Sequence, residues 1–255
     1  MLQETWPKRS EDLTWLARLG PWKIAGLFGL TIVILMLAVD VPVSRLMRGA
    51  NPGLVDFFRL LADVGNSKWY LVPLAILIPA CLVLRANRRT QKVAQLYGWA
   101  AGGLLFVFVA IAGSGLITDL IKVLAGRARP KLLNASDIYG FFPPGLNADF
   151  QSFPSGHANT MFALMIALAL FWPRARNGFL LIAALGSISR VVVNAHYLSD
   201  VITGAALAVL TTLWLRDFFA RHRIAFELNG LGRARLQAPG RLLRMRLRGW
   251  LTGLF

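Results

Sequence analysis

Three short polar blocks interrupt a chain that is otherwise a string of apolar runs, and they hold residue types suited to handling a phosphoryl group. The first carries Lys122, Arg129 and Pro130, the second is Pro154-Ser155-Gly156-His157, and the third carries Ser189, Arg190, His196 and Asp200. Two of the chain's three histidines lie inside them. Lys122, Arg129 and Arg190 are fixed cations able to neutralise an oxyanion, and arginine offers a planar fork that matches its oxygens. Ser155, Gly156 and His157 precede a long apolar run, so a hydroxyl and free backbone N–H groups would stand at a helix N-terminus, where the dipole also favours an anion. His196 and Asp200 are four apart. On a helical turn the carboxylate would take a hydrogen bond from one ring nitrogen and leave the other free to attack. His157 would supply the complementary acid. The chemistry predicted is phosphoryl transfer through a phosphohistidine.

The blocks read Lys, six residues, Arg-Pro; Pro-Ser-Gly-His; then Ser-Arg, five residues, His, three residues, Asp. This pattern, covering 122–200, resembles that of the type 2 phosphatidic acid phosphatases, whose site is shared with the vanadium-dependent haloperoxidases. The resemblance implies that His196 attacks phosphorus, Asp200 orients it and His157 protonates the leaving oxygen. It implies phosphate-holding roles for Lys122, Arg129, Ser155, Gly156 and Arg190, and a scheme with no metal and no cofactor.

The elements that must position these residues are membrane helices. The 255 residues are 56% hydrophobic and 16% charged, with a mean hydropathy of +0.56; a soluble domain would carry about 25% charged residues. The expected fold is all-α and polytopic, a bundle of six spans near 22–43, 69–84, 96–120, 157–172, 179–193 and 201–215. Residues 54–64 have apolar residues at helical spacing with Asp56, Arg59 and Asp63 between them, too short and charged to cross. They predict an interfacial helix, as a lip over the site or, the reading we favour, as packing support. Asp119 is expected to pair with Lys122 or Arg127. The polar connection 131–153, with Phe141, Phe142 and Phe153, joins two of the blocks and must border the site. Cys81 is the only cysteine and excludes an intrachain disulfide.

The chain therefore divides into an N-terminal interfacial segment (1–21), a six-span membrane domain (22–216) and a basic cytoplasmic tail (217–255), whose alternating arginines suit anionic lipid. The net charge of +16 is read the same way: no nucleic-acid motif accompanies it. With both termini inside, 19 of the 28 basic residues face the cytoplasm, which places the site on the periplasmic face of an inner membrane. The substrate expected at such a site is a membrane lipid phosphate or diphosphate. An enzyme passing the phosphoryl group to a lipid or sugar acceptor shares the first step, and the motifs do not separate the two. The oligomeric state is open. An anion transporter would show inverted repeats or broken helices, and the sequence has none.

Overall fold

In lipid every backbone polar group must be bonded within the protein, so apolar runs of this length become helices. The computed structural model describes residues 20–87 and 90–237 and is predominantly helical. The expected segment 1–21 and the arginine-rich end of the tail fall almost wholly outside the described residues, as do Arg88 and Arg89.

Helix α1 runs from Pro21 to Arg48 with one π turn at Leu35–Val39. Next come α2 (Pro52–Asp63), α3 (Lys68–Ala86), α4 (Gln91–Ala125), α5 (Pro130–Ser136), α6 (Gly156–Phe171), α7 (Arg176–Val192) and α8 (Leu198–Arg221). Among the described residues five segments are long and apolar enough to cross a membrane: Pro21–Arg48, Pro52–Ala86, Gln91–Ala125, Pro173–Val192 and Leu198–Arg221. Helix α6, of 16 residues, is apolar but shorter. Helix α2 is separated from α3 by a short turn and lies against α7.

The long α4 packs against α3, α6 and α8, and α6 also packs against α7 and α8. Their shared core is aromatic at one end: Phe106 meets Phe171, Phe219 and Phe226 edge to face. Phe226 comes from an antiparallel hairpin, β1 (Phe226–Leu228) with β2 (Ala234–Leu236), which closes that end of the bundle. The described part of 217–255 thus holds the last turn of α8 and a packed hairpin. At the other end, α4 stops at Gly126, whose φ of +61° gives a left-handed cap. A Cβ there would strike the Phe142 carbonyl, so only glycine lets the chain turn directly into the first polar block.

Candidate active site

Beyond Gly126, residues 127–129 lie extended between two strips of the 131–153 connection. Ala128 N donates to Gly140 O at 3.0 Å and Phe142 N to Gly126 O at 2.8 Å; on the other flank Arg129 N donates to Asp149 O at 2.8 Å and Ser152 N to Arg127 O at 3.0 Å. Arg129 Nε donates to Ala148 O at 2.8 Å, which holds the guanidinium on its loop. The connection therefore is a wall of the site, with Phe141 and Phe142 half-exposed on its outer side.

Ser155 caps α6, accepting from Ala158 N, and its own N–H donates to Asp200 O at 3.0 Å. Gly204 of α8 lies so close that a Cβ would collide with the Ser155 carbonyl. Two glycines bring α6, α8 and α4 together here. A Cβ on Gly156 would lie 2.9 Å from Lys122 Nζ, so the ammonium rests on the first turn of α6, where helix N–H groups point outward. Lys122 pairs with Asp119 at 2.9 Å, one of the two partners expected for Asp119.

Arg190 closes α7, and its carbonyl accepts from the N–H groups of Ala195 (3.0 Å) and His196 (3.1 Å). Asn194 makes the turn with φ of +53° and exchanges hydrogen bonds with Ser44 of α1. His196 is thereby placed inside, 4% exposed. Arg190 Nε is buried without a hydrogen-bond partner among the described residues, a donor available to an anion. Arg190, His196, Lys122 and Arg129 all stand near enough to act electrostatically on His157. Every site residue expected from the sequence is brought to this one end of the bundle.

One local relation differs from the expectation. His196 Nδ1 lies 2.8 Å from the Ser152 carbonyl and 3.7 Å from Asp200 Oδ2, the second too long for a hydrogen bond. The reason is that α8 starts at Leu198, so His196 precedes the helix and does not share a turn with Asp200. Asp200 instead bends back to cap its own helix, accepting from Tyr197 N at 2.9 Å and from Ser152 Oγ at 2.6 Å. A carbonyl only accepts, so Nδ1 carries the proton and Nε2 holds the free lone pair. Burial, reinforced by Arg129 and Arg190 and opposed by Asp200, pushes the His196 imidazole below its ordinary pKa. Its surroundings thus favour the neutral ring.

Three residues of the site were missed in the sequence. Arg127, fully buried, donates to Asp200 and, at 2.8 Å, to Asp40 of α1. Ser152 carries the carbonyl that fixes His196. Asp40 was readable as a carboxylate inside the first apolar run, which by default marks function, and Arg127 as a second arginine in Gly-Arg-Ala-Arg-Pro.

Fold and site together define a helical membrane protein in which basic side chains and a helix N-terminus gather beside a buried histidine. Comparison places it more narrowly. The family model of the PAP2 superfamily matches residues 103–224. The chain is 34% identical to a lipid A 1-phosphatase of Rhizobium etli, over 77% of this chain and 84% of the relative, and 33% identical to one of Rhizobium johnstonii, over 77% and 80%. It is 25% identical to a probable lipid phosphate phosphatase beta of Arabidopsis thaliana, over 75% and 93%. The crystal structure of a transmembrane PAP2 type phosphatidylglycerolphosphate phosphatase from Bacillus subtilis aligns with a TM-score of 0.45 at 19% identity, over 76% of this chain and 94% of that one. The chain belongs to the PAP2 superfamily and is an integral membrane phosphatase.

Proposed function

We propose that the enzyme hydrolyses the terminal phosphate of a membrane lipid through a phosphohistidine on His196. The observation that carries this reading is the His196 ring itself: buried, with Nδ1 committed to a backbone carbonyl and Nε2 left free beside Arg129 and Arg190. Nε2 attacks phosphorus, the bond to the lipid oxygen breaks, and His157 gives that oxygen a proton, which it takes up once the negative charge of the bound phosphate offsets burial and the cations Arg190, Lys122 and Arg129 around it. His157, now neutral, takes a proton from water, whose oxygen attacks the phosphohistidine and releases inorganic phosphate. Lys122, Arg129 and Arg190, with the N–H groups at the start of α6, hold the charge that develops on the equatorial oxygens.

The kinship with proteins named lipid A 1-phosphatase supports a phosphomonoester on a saccharide lipid as the first substrate to test. The site faces away from the cytoplasm in this reading. Its support is that the links holding Arg85 and Lys92, and Arg174 and Arg176, join the ends of α3, α4, α6 and α7 opposite to Lys122, Gly156 and Arg190.

The test is phosphate release by the purified full-length protein in detergent from lipid A 1-phosphate, phosphatidylglycerol phosphate, phosphatidic acid and polyprenyl diphosphate, with and without chelator, beside His196→Ala. Release from one of them, insensitive to chelator and lost in the variant, is expected. Release that survives His196→Ala refutes the nucleophile, and loss on chelation refutes the metal-free scheme.

A further inference from the structure

Arg127 sits in the sequence between Lys122 and Arg129, the two cations proposed to hold phosphate, yet both its terminal nitrogens are spent on protein partners, and its Nε, without a partner among the described residues, is wholly buried. One terminal nitrogen donates to Asp200 Oδ1 and, at 2.7 Å, to Ser199 Oγ; the other donates to Asp40 Oδ2 at 2.8 Å and Tyr139 Oη at 2.9 Å. Its guanidinium lies in a box of four aromatic rings, Tyr139, Phe141, Phe153 and Tyr197, at 4.6–5.9 Å from their centroids. No part of Arg127 reaches solvent, and Asp40 and Asp200 are equally buried.

Asp40 enters this cluster from the first span, the helix most distant from the motifs in sequence. It accepts from Ser199 N at 3.0 Å and from Ser199 Oγ, so it grips the first turn of α8 directly as well as through Arg127. The π turn just before it lends a further anchor: Tyr139 Oη donates to Met36 O at 2.6 Å. From Asp200 the contacts pass to Ser152 Oγ, and the Ser152 carbonyl holds His196 Nδ1. An unbroken line of contacts runs from α1 to the nucleophile.

Two carboxyl groups and one guanidinium stand together fully buried, an arrangement that well-packed apolar residues of similar volume often replace at no loss of stability. Its directed hydrogen bonds are what apolar residues would not supply. We propose that Asp40 and Arg127 are positioning residues for the phosphatase reaction: Asp40 fixes Arg127, Arg127 fixes Asp200, and the first span thereby sets where the His196 ring stands. This inference rests on the phosphohistidine reading above.

The experiment compares wild type, Asp40→Asn, Arg127→Gln, Asp200→Asn and the Asp40→Asn/Asp200→Asn double variant, all full-length in detergent, on the lipid phosphate that the wild type hydrolyses. Asp40→Asn keeps the shape of the side chain and leaves Arg127 paired with Asp200, so it tests the inference even where Arg127→Gln does not fold. Expected for Asp40→Asn is a fall in kcat of roughly 10- to 100-fold, the scale of a small misplacement of a reacting group, with KM within about twofold because no phosphate contact is touched. In the Asp200→Asn background the same change should have less than about a twofold effect, since the line is already cut.

The pH profile gives a readout that loss of rigidity would not. The groups acting on His196 are Asp200 of α8, Arg129 of the first block, Arg190 of α7 and His157 of α6, with Asp40 and Arg127 behind Asp200. Removing a negative charge should move the acid limb of kcat/KM down in Asp40→Asn, and removing a positive one should move it up in Arg127→Gln, each by about one pH unit. An unchanged kcat in Asp40→Asn, an effect fully additive with Asp200→Asn, or a raised KM at constant kcat would overturn the inference while the phosphatase reading stood. A wild type that releases no phosphate from any lipid would overturn both.

Discussion

Gly156→Ala separates the anion site from the stability of the fold. A Cβ at 156 would lie 2.9 Å from Lys122 Nζ, where ordinary contacts begin at 3.4 Å, so the ammonium must withdraw by about 0.5 Å or more. The other heavy atom within reach is Lys122 Cε at 3.8 Å, and Gly156 does not have a positive φ. The substitution therefore acts on Lys122 and little else. Alanine is also the better helix former, by up to about 1 kcal/mol, so the melting temperature should hold or rise. A hydrogen bond to a charged partner contributes about 1.5–3 kcal/mol, and losing the one proposed from Lys122 to phosphate should lower kcat/KM roughly 10- to 150-fold. The assay is steady-state phosphate release in detergent, paired with thermal unfolding, for Gly156→Ala, Lys122→Ala and the double variant. The double variant should match Lys122→Ala alone. A kcat/KM for Gly156→Ala within about twofold of wild type, or a full further loss in the Lys122→Ala background, would refute the claim that this glycine exists to admit the ammonium.

Three further outcomes follow from the same geometry. In the proposed mechanism the neutral His196 ring attacks, and it is present above its pKa, which burial, Arg129 and Arg190 hold below the ordinary imidazole range against the pull of Asp200; kcat/KM should therefore persist as pH falls through about 6.5, and an acid limb at or above that value contradicts the electrostatics. Gly126→Ala puts a left-handed φ and a collision with the Phe142 carbonyl into one residue, at a cost of about 1–2 kcal/mol for the conformation and about 1–3 kcal/mol for the overlap; unaltered thermal unfolding would show that the cap is dispensable. Phe226→Ala removes a 2% exposed ring whose centroid is 4.9 Å from that of Phe106 and should destabilise by about 3–5 kcal/mol, while kcat per folded molecule stays unchanged because the hairpin closes the far end of the bundle. A collapse of kcat with little change in unfolding would mean the hairpin reaches the chemistry.

How far the sequence led differs between the helices and the site. The apolar runs were legible because lipid forces backbone hydrogen bonds inside the chain, but their ends were not. Helix α4 begins at Gln91 and not near 96, and α8 continues to Arg221 and not 215, because helical bonding continues through polar residues that a hydropathy reading trims away. The hairpin carried its own signal, Asn229-Gly230 between short apolar stretches, and was overshadowed by the arginines around it.

The three polar blocks were legible because phosphate chemistry needs cations, a helix start and an imidazole, and the blocks supply these between them, each within a few residues. What holds the imidazole is spread across the chain: Ser152 is 44 residues from His196, Arg127 is 73 from Asp200, and Asp40 is 159 from Ser199. No spacing rule joins such partners; only the packing of α1 and the 131–153 connection against α8 does. Local rules worked at Ser155 and at Asp119 to Lys122, but His196 and Asp200, four residues apart, stand 3.7 Å from each other because the helix starts between them. The reacting groups are therefore written in short motifs, while the charges that set their orientation enter from elements whose sequences, read alone, say only membrane span and loop. On this account variants that change orientation should concentrate in α1 and in 131–153, and variants that change phosphate affinity in the three blocks.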